Sequence, residues 1–193
     1  MRLQAIRKRC LASKQMIIIN GDDGAQWISD GANCYAIAGI RIRENYIQDV
    51  FALTDKQMDK MIVRTETRSG PLYRESIQTF GEELEEMRTI WAYDQKIVAL
   101  RTADGLLYVP EDAILAACKP EDYIQYMLAR DERGKLLVAV NRGLFCEALL
   151  SPVSDDVADD ISEKLRQVGN MPILLTTIGK GEANEEDHRL ANG

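Results

Sequence analysis

The fold is predicted most directly by the stretch Asp104-Gly-Leu-Leu-Tyr-Val-Pro-Glu-Asp-Ala-Ile-Leu-Ala-Ala-Cys118. Asp104-Gly105 is a turn dipeptide, and the apolar run after it has the length and composition of a strand. Pro110 then opens a helix, because proline fits the first helical turn and the two acids that follow it favour the positive end of the helix dipole. Pro120 ends this helix. A strand that leads directly into a short helix is typical of an α+β unit.

Three further strands are predicted after this helix, separated by connections that are rich in turn residues. They span Tyr123 to Arg130, Lys135 to Val140 and Leu144 to Leu150. Before Asp104, strands are predicted at residues 89–93 and 96–102, and the charged residues 81–86 are predicted to be a solvated turn. The second half of the chain is therefore predicted to be one αβ unit, residues 84–153.

The first half has a comparable pattern. Leu3, Ile6 and Cys10 lie at helical spacing and predict a helix over residues 2–13. Strand and turn signals then predict a three-stranded meander over residues 15–42. A core-facing helix is predicted over residues 44–61, with a second turn capped by Thr54 and Asp55. Residues 62–80 are predicted to form a strand, a loop and another strand.

These patterns predict an α+β fold made of two αβ units, residues 1–80 and 84–153, each with helices on one face of an antiparallel sheet. The two units together form the predicted domain 1–153. An accessory helix and strand are predicted at 154–178, and a polar, disordered tail at 179–193. A length of 193 residues and a hydrophobic content of 46% agree with one folded domain.

Composition also restricts the location of the protein. No apolar run approaches the roughly 18 residues that a membrane-spanning helix requires, and the basic N-terminus lacks the apolar core of a signal peptide. We therefore expect a cytoplasmic protein that is not bound to a membrane. The cysteines are widely spaced and contain no C-x-x-C pair, so free thiols are expected at positions Cys10, Cys34, Cys118 and Cys146.

The sequence offers little for catalysis or for a cofactor. The single histidine, His188, lies in the predicted tail, which argues against a nucleophile activated by histidine. Thr177-Ile-Gly-Lys-Gly181 lacks the spacing of a phosphate-binding loop. Asp22, Asp23 and Asp30 lack the spacing of a calcium loop and predict turns instead. No metal or cofactor is predicted, although a carboxylate pair assembled in space stays open as an alternative.

The net charge of -7 argues against a protein whose whole surface binds nucleic acid. Residues 1–14 nevertheless carry five bases and no acid. If the protein binds DNA, these bases are the predicted contacts, and reversing three of them to glutamate is expected to abolish binding and leave the fold intact, because charges on a helix surface contribute little to stability. An ordinary solvated helix surface is the alternative. The five residues are Arg2, Arg7, Lys8, Arg9 and Lys14.

Two motifs resemble bacterial DNA sliding clamps, the processivity factors of replicative polymerases. The strand, helix and three strands from Asp104 onward resemble the closing repeat of that family, and Leu149-Leu-Ser-Pro-Val153 resembles its final motif. Ile28 to Ala36 is similar to a strand with the pattern Thr-Asp-Gly-His-Arg-Leu-Ala. Asp30 and Gly31 match this pattern, whereas an asparagine and a cysteine replace its His and Arg.

The resemblance implies a scaffold that encircles duplex DNA without reading its sequence, with basic helices facing the DNA. Residues 1–14 would supply one such helix, and Lys56 and Lys60 would add to a second. The helix after Pro110 departs from this pattern, because its first turn is acidic. The chain is about half a bacterial clamp subunit, so a ring implies a homo-oligomer or partner chains. A DNA polymerase or another replication protein is the implied protein partner.

Two other functions stay open at this stage. One is a cytoplasmic protein-interaction module of the same or another α+β fold without DNA contact. The other is an enzyme with dispersed carboxylates. Salt-sensitive binding of duplex DNA distinguishes the clamp-like function from the interaction module, because phosphate contacts release counterions.

Overall fold

The computed structural model describes residues 2–21, 24–68, 81–131 and 134–169. The strand predicted at 172–178, the tail at 179–193, His188 and the Thr177 to Gly181 segment lie outside these residues. So do Asp22, Asp23 and the loop and strand predicted between residues 69 and 80.

The described residues form five α-helices and ten β-strands. The helices are α1 Leu3–Ser13, α2 Ile47–Val50, α3 Asp55–Met58, α4 Glu111–Ala117 and α5 Asp155–Gly169, with a 3-10 turn at Glu44–Tyr46. The strands are β1 Gln15–Gly21, β2 Gln26–Ser29, β3 Cys34–Ile37, β4 Ile62–Arg68, β5 Glu83–Ala92, β6 Gln95–Thr102, β7 Gly105–Pro110, β8 Gln125–Arg130, β9 Leu136–Arg142 and β10 Phe145–Leu150. The protein is therefore α+β, as predicted.

All ten strands belong to one sheet in the order β4-β1-β2-β3-β10-β9-β8-β5-β6-β7. The prediction of purely antiparallel sheets is wrong at one edge, where β4 pairs parallel to β1 from Gln15 opposite Ile62 to Gly21 opposite Arg68. A parallel pair needs a crossover connection, here the segment from residue 38 to residue 61. Turn dipeptides mark local hairpins and give no information about such a crossover.

The middle of the sheet contains two three-stranded meanders. α1 is followed by the meander β1-β2-β3, and α4 is followed by the meander β8-β9-β10. The two meanders join where β3 pairs antiparallel with β10, through Cys34 opposite Leu149 and Tyr35 opposite Ala148. A helix is thus followed by a three-stranded meander at two places in the chain, and the two meanders pair edge to edge in the sheet.

Both first helices of these units lie on the same face of the sheet. α1 packs against α4, and the two helices bury small and branched side chains between themselves and the strands. This helix layer and the sheet form the main core. Its most buried members include Ile6, Cys10, Ala113, Ala116, Ile18, Ile28, Val138 and Leu150.

The accessory helix α5 lies on the other face, over β5, β6 and β7. Its residues Val157, Ile161 and Leu165 recur at helical spacing and pack against a separate cluster that contains Ile97 and Tyr108. The Tyr108 hydroxyl is 3.0 Å from Ser162 Oγ. α5 therefore covers the side of these strands that α4 leaves open.

Two local predictions are corrected by the structure. The helix expected over residues 44–61 is broken into the 3-10 turn, α2 and α3, although Ile47, Phe51 and Leu53 are buried in the main core as expected. The solvated turn expected at 81–86 is wrong because β5 starts at Glu83. There Leu84 is buried, whereas the acids on either side of it are exposed. Such alternation is typical of a strand with one face exposed to solvent.

Candidate nucleic-acid interface

α1 distributes the five predicted basic residues over different environments. Burial of Ile6 and Cys10 fixes which side of α1 faces the sheet. Arg2, Lys8 and Lys14 are exposed, whereas Arg7 and Arg9 are partly buried. The structure thus places three of the five bases in α1 and the other two, Arg2 and Lys14, at its ends.

Arg9 links α1 to both halves of the fold. Its Nε donates to Asp30 Oδ2 at 2.9 Å, and its Nη1 donates to Asp112 Oδ1 at 2.6 Å. The Asp30 side chain is 3% exposed and that of Arg9 is 18% exposed, whereas Asp112 is largely solvated. Arg9 therefore differs from an ordinary charge on a helix surface, because removing it would leave a buried carboxylate without its cation.

Asp30 organises the turn between β2 and β3. Its Oδ1 accepts hydrogen bonds from the backbone N–H groups of Ala32 and Asn33, and both carboxylate oxygens accept from the Asn33 side chain. This agrees with the turn chemistry predicted for Asp30. Asn33 Oδ1 in turn accepts from Ser151 N, and Ser151 Oγ donates to Ala32 O. The Asp-Gly motif and the Leu-Leu-Ser-Pro-Val motif therefore touch at the junction of the two units.

Electrostatics around this network favour its charged form. Burial lowers the pKa of Arg9, but the neighbouring Tyr35 hydroxyl and the Asp112 and Asp30 carboxylates outweigh it, so that the pKa is raised above its ordinary value. Burial raises the pKa of the nearby Cys10 thiol to about 12 and also raises the pKa of Tyr35. The Cys10 thiol is therefore protonated at neutral pH and is not an activated nucleophile.

Arg7 connects α1 to the segment that carries two further bases. Its Nη2 donates to Ala52 O at 3.2 Å and to Gln57 Oε1 at 3.3 Å. Gln57 also closes the capping box of α3, in which its backbone N–H donates to Thr54 Oγ1 and its side chain accepts from Thr54 N. This arrangement places the exposed Lys56 and Lys60 on the segment next to α1.

The surface of the helix layer consequently carries both signs of charge. Its exposed bases are Arg2, Lys8, Lys14, Lys56 and Lys60, and its exposed acids include Asp55, Asp59 and Asp112. Ammonium and guanidinium groups on helices can contact phosphates without reading base edges. Local cations of this kind are compatible with an acidic chain. Salt screens the electric field of each exposed charge over about 10 Å, so that distant acids have little effect on these bases.

The ion pairs of Arg9 with Asp30 and Asp112 could not be predicted from the sequence. Its partners lie 21 and 103 residues away along the chain, so that no local spacing indicates the ion pairs. The only signal was Asp30, which belongs to the Asp-Gly motif of the resemblance.

Within the part of the chain that is described, no group of three or more His, Cys, Asp or Glu side chains could hold a metal ion. None of the four cysteines forms a disulfide bond in the structure. Among the same residues, no helix combines the length and the apolar character needed to cross a membrane.

Comparisons with known proteins do not assign the chain to a family. No protein-family model matches it, and neither the search of curated proteins nor the search of solved structures finds a match. The structure thus defines the class of protein as an α+β protein with one mixed ten-stranded sheet.

Proposed function

We propose that this chain is a clamp-like scaffold that associates with duplex DNA without sequence preference and without catalytic activity. The observation that carries the proposal is that a helix is followed by a three-stranded meander at two places in the chain, with the two meanders joined edge to edge and α1 packed against α4 on one face. In the family that the sequence resembles, paired helices of such units face the DNA and the sheet faces outward.

The charge distribution gives a second, independent support. Arg2, Lys8 and Lys14 are exposed on or next to α1 and form no ion pair with a described residue. Each phosphate contact by such a group releases counterions and strengthens binding at low salt. The cytoplasm, where DNA and its polymerases occur in bacteria, is the proposed location.

Self-association is part of the proposal. Within the described residues, β4 pairs only with β1 and β7 only with β6, so that each end of the sheet has an unpaired edge. Joining such different edges of successive copies generates rings or open arrays. A homo-oligomer would provide enough surface to surround DNA, and a polymerase or another replication protein would be its partner.

The proposal is tested by reversing the exposed bases of α1. In the variant Arg2→Glu, Lys8→Glu, Lys14→Glu, we expect the affinity for a 30-base-pair duplex to fall at least tenfold in 50 mM salt, as measured by fluorescence anisotropy. The matched control is Arg64→Glu, Arg88→Glu, Lys135→Glu, which makes the same change in net charge at exposed positions outside the helix layer.

The control distinguishes a local contact from a general effect of charge. If both triple variants lose affinity equally, the α1 interface is wrong. If the native protein binds no duplex at all, the DNA proposal fails and the protein-interaction module takes its place. Circular dichroism of both variants checks that the fold is retained.

A further inference from the structure

The segment between β3 and α2 presents apolar and cationic side chains from an anchored loop. It comprises residues 38–46 and is called the arginine loop below. Gly39 has φ +80°, a left-handed conformation that glycine adopts easily, and there the chain turns away from β3. Ile40 and Tyr46 are exposed, as are Arg41 and Arg43. Exposed aromatic, apolar and arginine side chains together are typical of interaction surfaces.

The loop is held in place by one buried side chain. Gln26, at the start of β2, donates from Nε2 to Ile42 O at 2.8 Å and accepts from Ile42 N at 2.7 Å. Ile42 is buried between the two exposed arginines. Both main-chain groups of Ile42 are therefore fixed, and a loop ordered before binding loses less conformational entropy when a partner docks.

The strand register places a further exposed apolar residue at the same end of the sheet. β10 runs antiparallel to β3, so the turn that precedes β10 lies at the end of the sheet where β3 finishes. This turn contains Leu144, which is 74% exposed. Arg142, in the strand before the turn, is half-exposed and pairs with the buried Glu147.

Arg41 and Arg43 indicate that the partner carries negative charge. Neither forms an ion pair or a side-chain hydrogen bond with a described residue, and Glu44 is the acid within the loop. Guanidinium groups bind carboxylates in a two-pronged geometry. Ile40, Tyr46 and Leu144 offer apolar area that a phosphate backbone does not use. The combination is complementary to a peptide that carries both carboxylates and apolar side chains.

We propose that the arginine loop, together with Leu144, docks an acidic segment with apolar side chains from a partner protein. None of its residues belongs to α1, and the proposal does not depend on DNA binding. Arg41 and Arg43 supply the charge complementarity, and the apolar residues supply buried area. Gln26 is a positioning residue, because it holds the loop without being part of the exposed surface.

The test uses a fluorescein-labelled 12-residue peptide of alternating aspartate and leucine, titrated with the full chain at 50 mM salt. We expect saturable binding that weakens at least tenfold in Arg41→Glu, Arg43→Glu. The matched control Arg64→Glu, Arg88→Glu has the same net charge as the loop variant. It should bind the peptide as tightly as the native protein does. Leu144→Ser and Gln26→Ala should each weaken binding several-fold, and circular dichroism checks their folding.

Two matched peptides complete the experiment. Lysine in place of aspartate should abolish binding, and serine in place of leucine should weaken it. The proposal is overturned if the acidic peptide does not bind at millimolar protein, or if the lysine peptide binds equally well. It is also overturned if the loop variant and its control bind alike, or if only single-stranded DNA binds through Arg41 and Arg43.

Discussion

Arg9 stabilises the protein by joining three segments that are distant in sequence. It bridges α1 to the turn at Asp30 and to the first turn of α4 at Asp112. The Asp30 carboxylate also accepts hydrogen bonds from its own turn, so that the cation completes a network that is already organised. Residues of this type fix the relative position of the two units.

The network predicts that substitutions at the neighbouring bases Arg9 and Lys8 have very different effects on the free energy of unfolding. Arg9→Met should lower the free energy of unfolding by about 3 kcal/mol, because it leaves the buried Asp30 carboxylate unpaired. Lys8→Met, at an exposed position of the same helix, should change it by less than about 0.5 kcal/mol. Urea unfolding followed by circular dichroism measures both values. Equal values for the two variants would show that Arg9 is an ordinary surface charge.

The buried thiols predict lower stability at alkaline pH. Burial raises the pKa of Cys10 to about 12 and that of Cys118 to about 11, whereas an unfolded thiol has a pKa of about 8.5. Above that pH the unfolded state releases protons that the folded state retains. The thiols therefore do not affect stability below about pH 8.5; above it the free energy of unfolding falls progressively, until the pH has passed the folded-state pKa values of about 11 and 12.

Urea midpoints at pH 8, 9.5 and 10.5 test this linkage, and we expect them to fall steadily. Burial also raises the pKa of Tyr35 and Tyr126, which adds to the same trend. The double variant Cys10→Ala, Cys118→Ala should show a shallower decline than the native protein. A urea midpoint that is constant over this pH range would contradict the linkage to the buried thiols. So would a midpoint that falls as steeply with pH in the double variant as in the native protein.

At the scale of the elements, the strands at the two ends of the sheet in the described residues, β4 and β7, differ from each other. β4 is a polar strand with alternating charged and threonine side chains, and β7 ends at Pro110. Exposed apolar residues occur on both, at Ile62 on β4 and at Leu106 on β7. If successive copies pair through these edges, a charge placed on either strand should weaken the association.

Sedimentation velocity at several concentrations tests this expectation. The native chain should form species larger than the 21.7 kDa monomer, and Ile62→Lys or Leu106→Glu should shift the distribution toward the monomer. Met87→Lys changes an exposed residue of β5 and should leave the association unchanged. A native protein that is monomeric at all concentrations would rule out edge pairing.

Most elements could be predicted from the sequence because their signals are local. The turn dipeptides and β-branched runs predicted the two meanders, and the spacing of Leu3, Ile6 and Cys10 predicted α1. The parallel pairing of β4 and the ion pairs of Arg9 could not be predicted, because both join residues that only the folded chain brings together. β5 was predicted too short because its first half alternates acids with a single buried leucine, Leu84.

At the scale of the whole molecule, the two halves and the accessory helix have separate roles. The paired meanders and the helix layer form the body, and α5 covers the outer face of β5, β6 and β7. The exposed bases of α1 lie on the helix layer, whereas the arginine loop lies at one end of the sheet. A scaffold with DNA on one surface and a protein partner on another would use both.

The central claim is sequence-independent contact with duplex DNA through the exposed bases of α1. The most direct test is the affinity of the native protein for two unrelated duplexes, measured from about 50 to 200 mM salt. With three phosphate contacts we expect a log-log slope of about -2.7, since each contact contributes about -0.9, and equal affinity for both sequences. The absence of salt-sensitive binding even near 50 mM, or a strong preference for one sequence, would contradict the account.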